Sequence, residues 1–362
     1  MRAIAVQKKY GDIQELQPVE LPDPKLETDN DLLIRVKAAA VNPVDTKTRA
    51  GTYDDYCKDG NPREYYNHVP KLPHVIGFDG AGVVEDAGSN ASKKFSKGDQ
   101  VYYCGSPFRQ GSNAELQLVD YRVVAKKPKN LDFVEAAAMP LTWITAWEAL
   151  VERMEIKEGE DAALLIINGA GGVGSAASQI ARKVLKLKTV ITTASRDETK
   201  QFTTEMGATH VVNHREDVVK QIADLKLSQP VKYIFITSRT EQYLAPCGEI
   251  AAPFGRVCSL VQTQDLSGMY GYPWMAKSLT FVWCLLGTKP YYGTDVESHG
   301  KILEDLRKWL EDGTVKTTLK SRLPMTAAGL WKGHELLGSG KGIGKTGFDV
   351  AHDGMVESDA FT

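Results

Sequence analysis

Two patterns of apolar and polar positions divide the chain. Over roughly the first 130 residues, short alternating or β-branched runs are separated by Gly, Pro and Asp, which is typical of antiparallel β-structure. These runs are AIAV, LLIRVKAAAV, GAGVVE, DQVYY and LQLVDYRVVA. Their spacing predicts a barrel-like antiparallel domain of about 130 residues.

From Phe133 the pattern becomes helical and then alternates. The segment VEAAAMPLTWITAWEALVERM predicts helix, and strand-like and helix-like segments follow one another after it. The predicted strands are AALLIIN, TVITT, HVVN, YIFIT and GRVCSLV, and the predicted helices include GSAASQIARKVL, DETKQFTTEM and VVKQIADLKL. This alternation predicts an α/β fold with a doubly wound parallel sheet.

The alternation ends near Thr288. Two helical segments, HGKILEDLRKWLEDG and AAGLWKGHELLGSG, then precede GKTGFDV. We interpret this tail as returning to complete the first domain. The predicted organisation is a β-rich domain at 1–133 and 291–362, and an α/β domain at 134–290.

Composition excludes several classes of protein. The 362 residues are 42% hydrophobic and 25% charged, as in ordinary globular proteins. The formal charge of −2 gives no general attraction to nucleic acid or membranes, and no run approaches the roughly 18 apolar residues of a membrane span. Five dispersed cysteines predict no disulfide framework, and MRAIAVQKKYGD lacks a secretory signal, so we expect a cytoplasmic protein.

The stretch LLIINGAGGVGSAASQIARKVL contains three glycines spaced G-x-G-x-x-G. The motif alone is weak evidence, but a buried-type strand before it and an amphipathic helix after it indicate dinucleotide binding. Gly169 is expected to make the tight turn, Gly171 to let a pyrophosphate approach, and Gly174 to let the helix pack on the strand. The predicted cofactor contacts in this loop are Asn168, Gly169, Ala170, Gly171, Gly172, Val173 and Gly174.

The residues about 20 positions past the last glycine usually decide between NAD and NADP. Here Ser195 and Arg196 stand where an NAD site carries a carboxylate, and a hydroxyl beside a guanidinium suits a 2′-phosphate. Lys200 adds positive charge one turn later. The nearby carboxylate of Asp197 leaves NADH as the alternative cofactor. Alternatively Ser195 only caps the next helix and Arg196 is solvated. We predict NADPH.

Several segments together resemble the medium-chain dehydrogenase/reductase superfamily over nearly the whole chain. They are PHVIGFDGAGVVEDAGSN, FSKGDQVY, GSNAELQLVDYRVVAKKPKNLDFVEAAAMPLTWITAWEAL, NGAGGVGS and LLGSGKGIGKTGFDV. Within it the chain resembles the quinone-oxidoreductase branch, especially members labelled zinc-type alcohol dehydrogenase-like. The resemblance implies a GroES-like catalytic domain, a Rossmann domain, a cleft between them and a homodimer.

Zinc-dependent members of this superfamily hold their metal at three positions that this chain fills differently. The corresponding residues are Asn42, Phe78 and Leu141, where the family has Cys, the His of Gly-His-Glu, and a later Cys or Asp. Phe and Leu cannot ligate Zn²⁺, and one Asn does not make a site. The four closely spaced cysteines of the structural zinc lobe are missing as well. We therefore expect no zinc.

The residues at these positions also favour a type of reaction. Without a metal to polarise a carbonyl, a simple ketone is a poor hydride acceptor. A quinone or an α,β-unsaturated carbonyl accepts hydride at carbon, while neutral donors hold the charge on oxygen. We expect an NADPH-dependent, zinc-free oxidoreductase with a small-molecule substrate. The alternatives are a trans-acting enoyl reductase of a polyketide pathway and a cofactor-binding protein with vestigial redox activity.

Five further residues are candidates for the site. Asn42 matches a family position lining the nicotinamide and offers an amide donor, or else it is a turn residue before proline. Asp45 anchors that turn or assists binding. Tyr53 lies where related reductases carry a cleft tyrosine that can donate a proton. Thr237, at the end of a strand, and Lys345, in the GKTG tail, are predicted cofactor contacts.

Overall fold

The computed structural model describes residues 1–51 and 70–362. They form two compact units, one made of Met1–Leu141 with Gly287–Thr362 and the other of Thr142–Leu286. The sequence placed the boundaries at 133/134 and 290/291. As predicted, the chain is α/β, with a parallel sheet and a separate β-rich unit.

The first unit is built mainly of antiparallel strands. Numbered in chain order, they are β1 (Arg2–Val6), β2 (Leu16–Glu20), β3 (Asp31–Ala40), β4 (His74–Val75), β5 (Asp79–Ala87), β6 (Gln100–Cys104), β7 (Leu116–Asp120), β8 (Val124–Lys126), β15 (Leu319–Pro324) and β16 (Lys345–Asp349). They form a sheet of order β2-β1-β4 and a larger one of order β15-β16-β3-β5-β6-β8, with β7 also paired to β3. Among the described strands of this unit, only the β15–β16 pair is parallel.

Helices cover parts of these sheets. They are Pro43–Arg49, Phe133–Ala137, Thr288–Tyr292, Glu297–Glu311 and Ala327–Gly338, with 3₁₀ turns at Ile13–Glu15, Ala91–Lys93, Tyr121–Val123, His352–Gly354 and Glu357–Asp359. The turn at Tyr121–Val123 divides the run LQLVDYRVVA, which the sequence predicted as one strand, into β7 and β8. The return of the tail is seen in β16, which pairs with β3.

The second unit contains a six-stranded parallel sheet. Its strands are β9 (Ala163–Ile167), β10 (Thr189–Thr193), β11 (His210–Val212), β12 (Val231–Ile236), β13 (Arg256–Ser259) and β14 (Thr280–Trp283), in the order β11-β10-β9-β12-β13-β14. Every residue of β9 and β10 is buried, as expected for parallel strands covered on both faces. The edge strand β14 was not predicted from the sequence.

The remaining helices connect these strands. They are Pro140–Trp147, Gly172–Gln179, Asp197–Glu205, Val218–Asp224, Thr240–Ile250 and Tyr272–Ala276, with π-helical continuations at Glu148–Arg153 and Ile180–Val184 and a 3₁₀ turn at Ser267–Met269. Within the described residues, no helix is both long and apolar enough to cross a membrane. Because all strands run the same way, the loops after β9, β10 and β12 emerge at one edge of the sheet, where such folds bind ligands.

Candidate functional site

The loop after β9 has the geometry of a strand–turn–helix phosphate site. Asn168 takes the left-handed conformation, with φ of 63°, and therefore makes the turn that the sequence assigned to Gly169. Its backbone N–H donates to Oγ1 of Thr193 at 2.8 Å, which ties the turn to the end of β10. The helix Gly172–Gln179 then begins directly, with Gly171 at its N-cap.

The three glycines of the motif are needed for different contacts. A Cβ on Gly169 would lie 2.4 Å from Cβ of Thr192, and one on Gly174 would lie 2.3 Å from the carbonyl oxygen of Asn168. A Cβ on Gly171 would lie 2.9 Å from the side-chain nitrogen of Asn168 and 3.5 Å from its backbone carbonyl oxygen. Gly169 and Gly174 therefore allow close packing within the protein. Gly171 keeps the helix N-terminus open.

This loop fits the pyrophosphate of a dinucleotide. The first N–H groups of the helix Gly172–Gln179 have no partners inside the helix, and its N-terminal end carries partial positive charge. Ala170 is buried, whereas Gly172 and Val173 are partly exposed. Backbone donors next to a residue without a side chain are the features that this class of cofactor requires.

The loop after β10 places positive charge at the same sheet edge. Arg196 is the N-cap residue of the helix Asp197–Glu205, and its backbone N–H donates to Oγ1 of Thr199 at 3.1 Å. The alternative role of Ser195 as the helix cap is therefore wrong, because Ser195 precedes the cap. Lys200 lies 3.3 Å from Asp197, which is fully exposed.

Thr237 follows β12 and lies at the end of the neighbouring strand β9. Its hydroxyl donates to the carbonyl oxygen of Ile167 at 2.8 Å. This bond fixes the start of the loop after β12 against the strand that leads into the glycine loop. The predicted cofactor contacts in the second unit thus lie in loops of one sheet edge, and their binding of the cofactor stays a prediction.

In the first unit, four polar side chains form what we call the buried polar cluster: Asn42, Asp45, Asp79 and Lys345. Lys345 donates to Oδ2 of Asp79 at 3.0 Å and to Oδ1 of Asn42 at 2.5 Å. Nδ2 of Asn42 donates to Oδ2 of Asp79 at 2.8 Å. The exposed fractions of Lys345 and Asp79 are 4% and 0%. Because both charges are buried, each depends on the other for compensation.

The carboxyl group of Asp45 has a raised pKa. Burial raises the pKa of its carboxyl from 3.8 to about 7, and the nearby Asp79 acts in the same direction. The backbone N–H of Asn42, 2.7 Å from Oδ2, and the charge of Lys345 lower the pKa. The amide of Phe78 has a smaller lowering effect, and Oδ1 has no well-aligned hydrogen bond from any described residue. Asp45 thus anchors the first turn of the helix Pro43–Arg49.

The three positions that hold zinc in metal-dependent relatives come together around Asp79. Asn42 binds its Oδ2, Phe78 precedes it in the chain, and the backbone N–H of Leu141 donates to Oδ1 at 2.8 Å. These residues do not fit a zinc ion, because two have no ligand atom and the Asn42 carbonyl is bound by the Lys345 ammonium. Within residues 1–51 and 70–362, no group of three His, Cys, Asp or Glu could hold a metal.

The structure also shows what sequence reasoning missed. Asp79 is the centre of the cluster, and only its place in GFDG, which the resemblance aligns with the Gly-His-Glu of zinc-dependent members, signalled it. Tyr53 lies outside the described residues. The direct roles predicted for Asn42, Asp45 and Lys345 stay predictions, and the structure adds that all three are buried. Of the cysteines, Cys104, Cys247, Cys258 and Cys284 are buried thiols that are not joined in disulfides.

Comparison with known families covers both units. Residues 28–129 match the alcohol dehydrogenase GroES-like domain, and residues 172–298 match the zinc-binding dehydrogenase family. A zinc-type alcohol dehydrogenase-like protein of Staphylococcus aureus (strain COL) is 37% identical over 358 residues, which is 95% of this chain and 98% of the relative.

More distant relatives carry names of specific reductases. A quinone oxidoreductase of Pongo abelii is 39% identical over 218 residues, 60% of this chain and 59% of its own. A chloroplastic NADPH-dependent alkenal/one oxidoreductase of Arabidopsis thaliana is 31% identical over 326 residues, 88% of this chain and 72% of the relative.

A solved structure agrees in fold. A crystal structure described as a zinc-dependent alcohol dehydrogenase protein from Rhizobium etli CFN 42 superposes with a TM-score of 0.85 at 38% identity, covering 96% of this chain and 98% of that one. One matched family lies within the first unit and the other lies mostly within the second. The chain therefore belongs to the medium-chain dehydrogenase/reductase superfamily of nicotinamide-dependent oxidoreductases.

Proposed function

We propose that this chain is an NADPH-dependent, zinc-free reductase of quinones or α,β-unsaturated carbonyls. Binding of the dinucleotide cofactor is supported by the glycine loop. There Gly171 leaves the helix N-terminus open, while Gly169 and Gly174 are closely packed. The relatives named as quinone and alkenal/one reductases support the substrate class.

The preference for NADPH is supported by the loop after β10. Arg196 at the end of this loop and Lys200 in the first turn of the next helix bring two positive charges, and Ser195 brings a hydroxyl. An arginine binds a phosphate through two parallel hydrogen bonds, which a ribose hydroxyl cannot accept in the same way. Asp197 is fully exposed and is paired with Lys200, which supports NADPH over NADH.

The reaction type follows from the residues around Asp79. When bound, a reduced nicotinamide supplies a hydride to a carbon of the acceptor. The protein must then stabilise negative charge on the acceptor oxygen with hydrogen-bond donors, since Phe78 and Leu141 offer no metal ligand. We assign this task to the turn Asn42–Asp45 and to Tyr53. The oxygen or the α-carbon finally takes up a proton, completing reduction of the double bond.

The test is turnover with a panel of acceptors. Purified protein should consume NADPH with quinones and enones, and should not oxidise simple aliphatic alcohols. Activity restricted to enoyl groups on an acyl carrier would favour a polyketide enoyl reductase instead. Tight NADPH binding without turnover on any acceptor would favour a vestigial enzyme.

The cofactor preference is tested separately. Arg196→Asp should raise the KM for NADPH by about 10- to 100-fold, the value of a lost charge-assisted hydrogen bond, and should change the KM for NADH little. Lys183→Asp, which reverses the charge of an exposed residue of the same unit, is the control. Equal effects of Arg196→Asp on the two cofactors would contradict the phosphate assignment.

We also propose a homodimer that forms through the edge strand β14. In the described part of the chain β14 pairs only with β13, and exposed apolar side chains lie close to it in the sequence. Tyr270, Tyr272 and Met275 have exposed fractions of 95%, 83% and 86%, and Trp283 of β14 has 44%. An unpaired edge beside an apolar patch is suited to pairing with a second copy.

Light scattering with size exclusion tests this assembly. Trp283→Lys should convert a dimer to a monomer, whereas Val356→Lys, an exposed position of the first unit, should not. A dimer that survives Trp283→Lys would exclude β14 as the interface.

A further inference from the structure

Lys345 is a buried ammonium whose three hydrogens are all used inside the first unit. Besides its bonds to Asn42 and Asp79, it donates to the carbonyl oxygen of Val41 at 2.9 Å. A lysine has three donors and no acceptor. The geometry thus occupies Lys345 fully with protein groups, two of which belong to the adjacent residues Val41 and Asn42.

These bonds determine the orientation of the Asn42 side chain. The lysine can only donate, so the atom of Asn42 that faces it must be the carbonyl oxygen. The carboxylate of Asp79 can only accept, so it must face the amide nitrogen. A flipped amide would turn NH₂ toward an ammonium and C=O toward a carboxylate. Both contacts would be repulsive, and burial would strengthen the repulsion.

The same contacts fix the surrounding backbone. Asn42 is the N-cap residue of the helix Pro43–Arg49, and its backbone N–H is held by Asp45. The second hydrogen of its side-chain nitrogen has only the carbonyl oxygen of Ala40 at 3.4 Å, a long contact. The Asn42 amide therefore uses its carbonyl oxygen for Lys345 and its nitrogen for Asp79 and Ala40, so every polar atom of this side chain is engaged inside the first unit.

We propose that Lys345 is a positioning residue, which locks the Asn42 amide with its carbonyl toward the ammonium and so holds the turn Asn42–Asp45 in the orientation that the hydride acceptor meets. The inference rests on the proposed function, because the role of the turn in binding the acceptor does. Lys345 acts through Asn42 and does not touch the substrate. Since Asn42 and Asp79 are fully buried, the protein itself fixes this orientation, and such preorganisation is what stabilises developing charge.

The first test replaces the ammonium by an apolar group of similar length. Lys345→Met should lower kcat by about 10- to 100-fold, the cost of misplacing a catalytic group, while the KM for NADPH stays unchanged. Lys301→Met, at an exposed position of the helix Glu297–Glu311, should leave both constants unchanged. Full kcat in Lys345→Met combined with an inactive Asn42→Ala would overturn the inference while leaving the proposed function intact.

A second variant separates charge from packing. Lys345→Ala should regain activity when propylammonium is added, because this cation replaces the missing atoms, and the uncharged propanol should not restore it. Rescue by both compounds would show that filling the space, and not the positive charge, restores the site, and would overturn the inference.

A third measurement does not depend on turnover. The side-chain amide signal of Asn42, assigned by its absence in Asn42→Ala, should shift in nitrogen NMR spectra of Lys345→Met. An unchanged signal would refute the orienting role. If the wild-type protein reduces no quinone or enone, the proposed function fails, and this signal still decides whether Lys345 orients Asn42.

Discussion

Replacing Asp45 by Asn should change how the stability of the protein depends on pH. Asp45 is buried in the first turn of the helix Pro43–Arg49, and Oδ2 accepts the backbone N–H of Asn42. The carbonyl oxygen of an asparagine can accept the same bond. Its NH₂ group would take the place of Oδ1, which has no well-aligned partner among the described residues. The substitution thus removes the titration and adds a donor whose cost does not depend on pH.

The size of the effect follows from the pKa of the carboxyl, which burial raises from 3.8 to about 7. A carboxyl with a higher pKa in the folded than in the unfolded state stabilises the fold only while it is protonated. Its contribution is complete below pH 3.8, decreases as the pH rises, and is absent above about pH 7. At 1.36 kcal/mol per pH unit the full loss is about 4 kcal/mol, of which about 2–3 kcal/mol falls between pH 5 and 8.

Urea unfolding of the wild type and Asp45→Asn, measured at several pH values, tests this reasoning. An unsatisfied donor costs about 1–3 kcal/mol at every pH, so the variant should be less stable near pH 5. The difference in the free energy of unfolding between the wild type and the variant should shrink by about 2–3 kcal/mol by pH 8. Equal m-values would confirm that both proteins expose the same surface on unfolding. A difference that stays constant, or grows, from pH 5 to 8 would refute the assignment of a protonated Asp45.

Two other substitutions test the packing of each unit. Gly174→Ala should destabilise the protein by about 1–3 kcal/mol, because its Cβ would lie 2.3 Å from the Asn168 carbonyl oxygen. It should also weaken NADPH binding, measured by fluorescence. Gly338→Ala, with open space around its Cβ, should change neither stability nor binding. Phe361→Ala should cost about 3–5 kcal/mol in urea unfolding, because the ring is buried in a core cluster, whereas Val356→Ala at an exposed site should cost less than about 0.5 kcal/mol. A small loss for Phe361→Ala would mean that its segment does not pack on this core in solution.

The α/β unit was predictable because its signals are local. A buried apolar strand, a glycine motif and an amphipathic helix follow one another within about 20 residues. Strand β9 and the glycine loop could therefore be located from this short stretch of sequence. The turn was assigned to the wrong residue, since a left-handed Asn168 is as compatible with the spacing as a left-handed Gly169. The edge strand β14 is short and half-exposed, and therefore gave no clear pattern.

The buried polar cluster was not predictable in the same way. Asn42, Asp79 and Lys345 are far apart in the chain, and each alone is an ordinary polar residue of a turn or a strand end. Only the pairing of β3 with both β5 and β16 brings them within hydrogen-bond distance. Sequence reasoning therefore found Asn42 and Lys345 through family resemblance, but it could not show that both are buried, because burial cannot be read from a motif.

The pairing of β3 with β16 has a consequence for biosynthesis. Strand β3 leaves the ribosome early, yet its neighbour β16 begins only at Lys345, after the whole second unit has been made. At a translation rate of about 5–20 residues per second, this edge of β3 stays unpaired for roughly 15–60 s before β16 is made. During translation the nascent chain thus carries an incomplete sheet beside a unit that can already fold, and chaperones that shield exposed edges are expected to act on this interval.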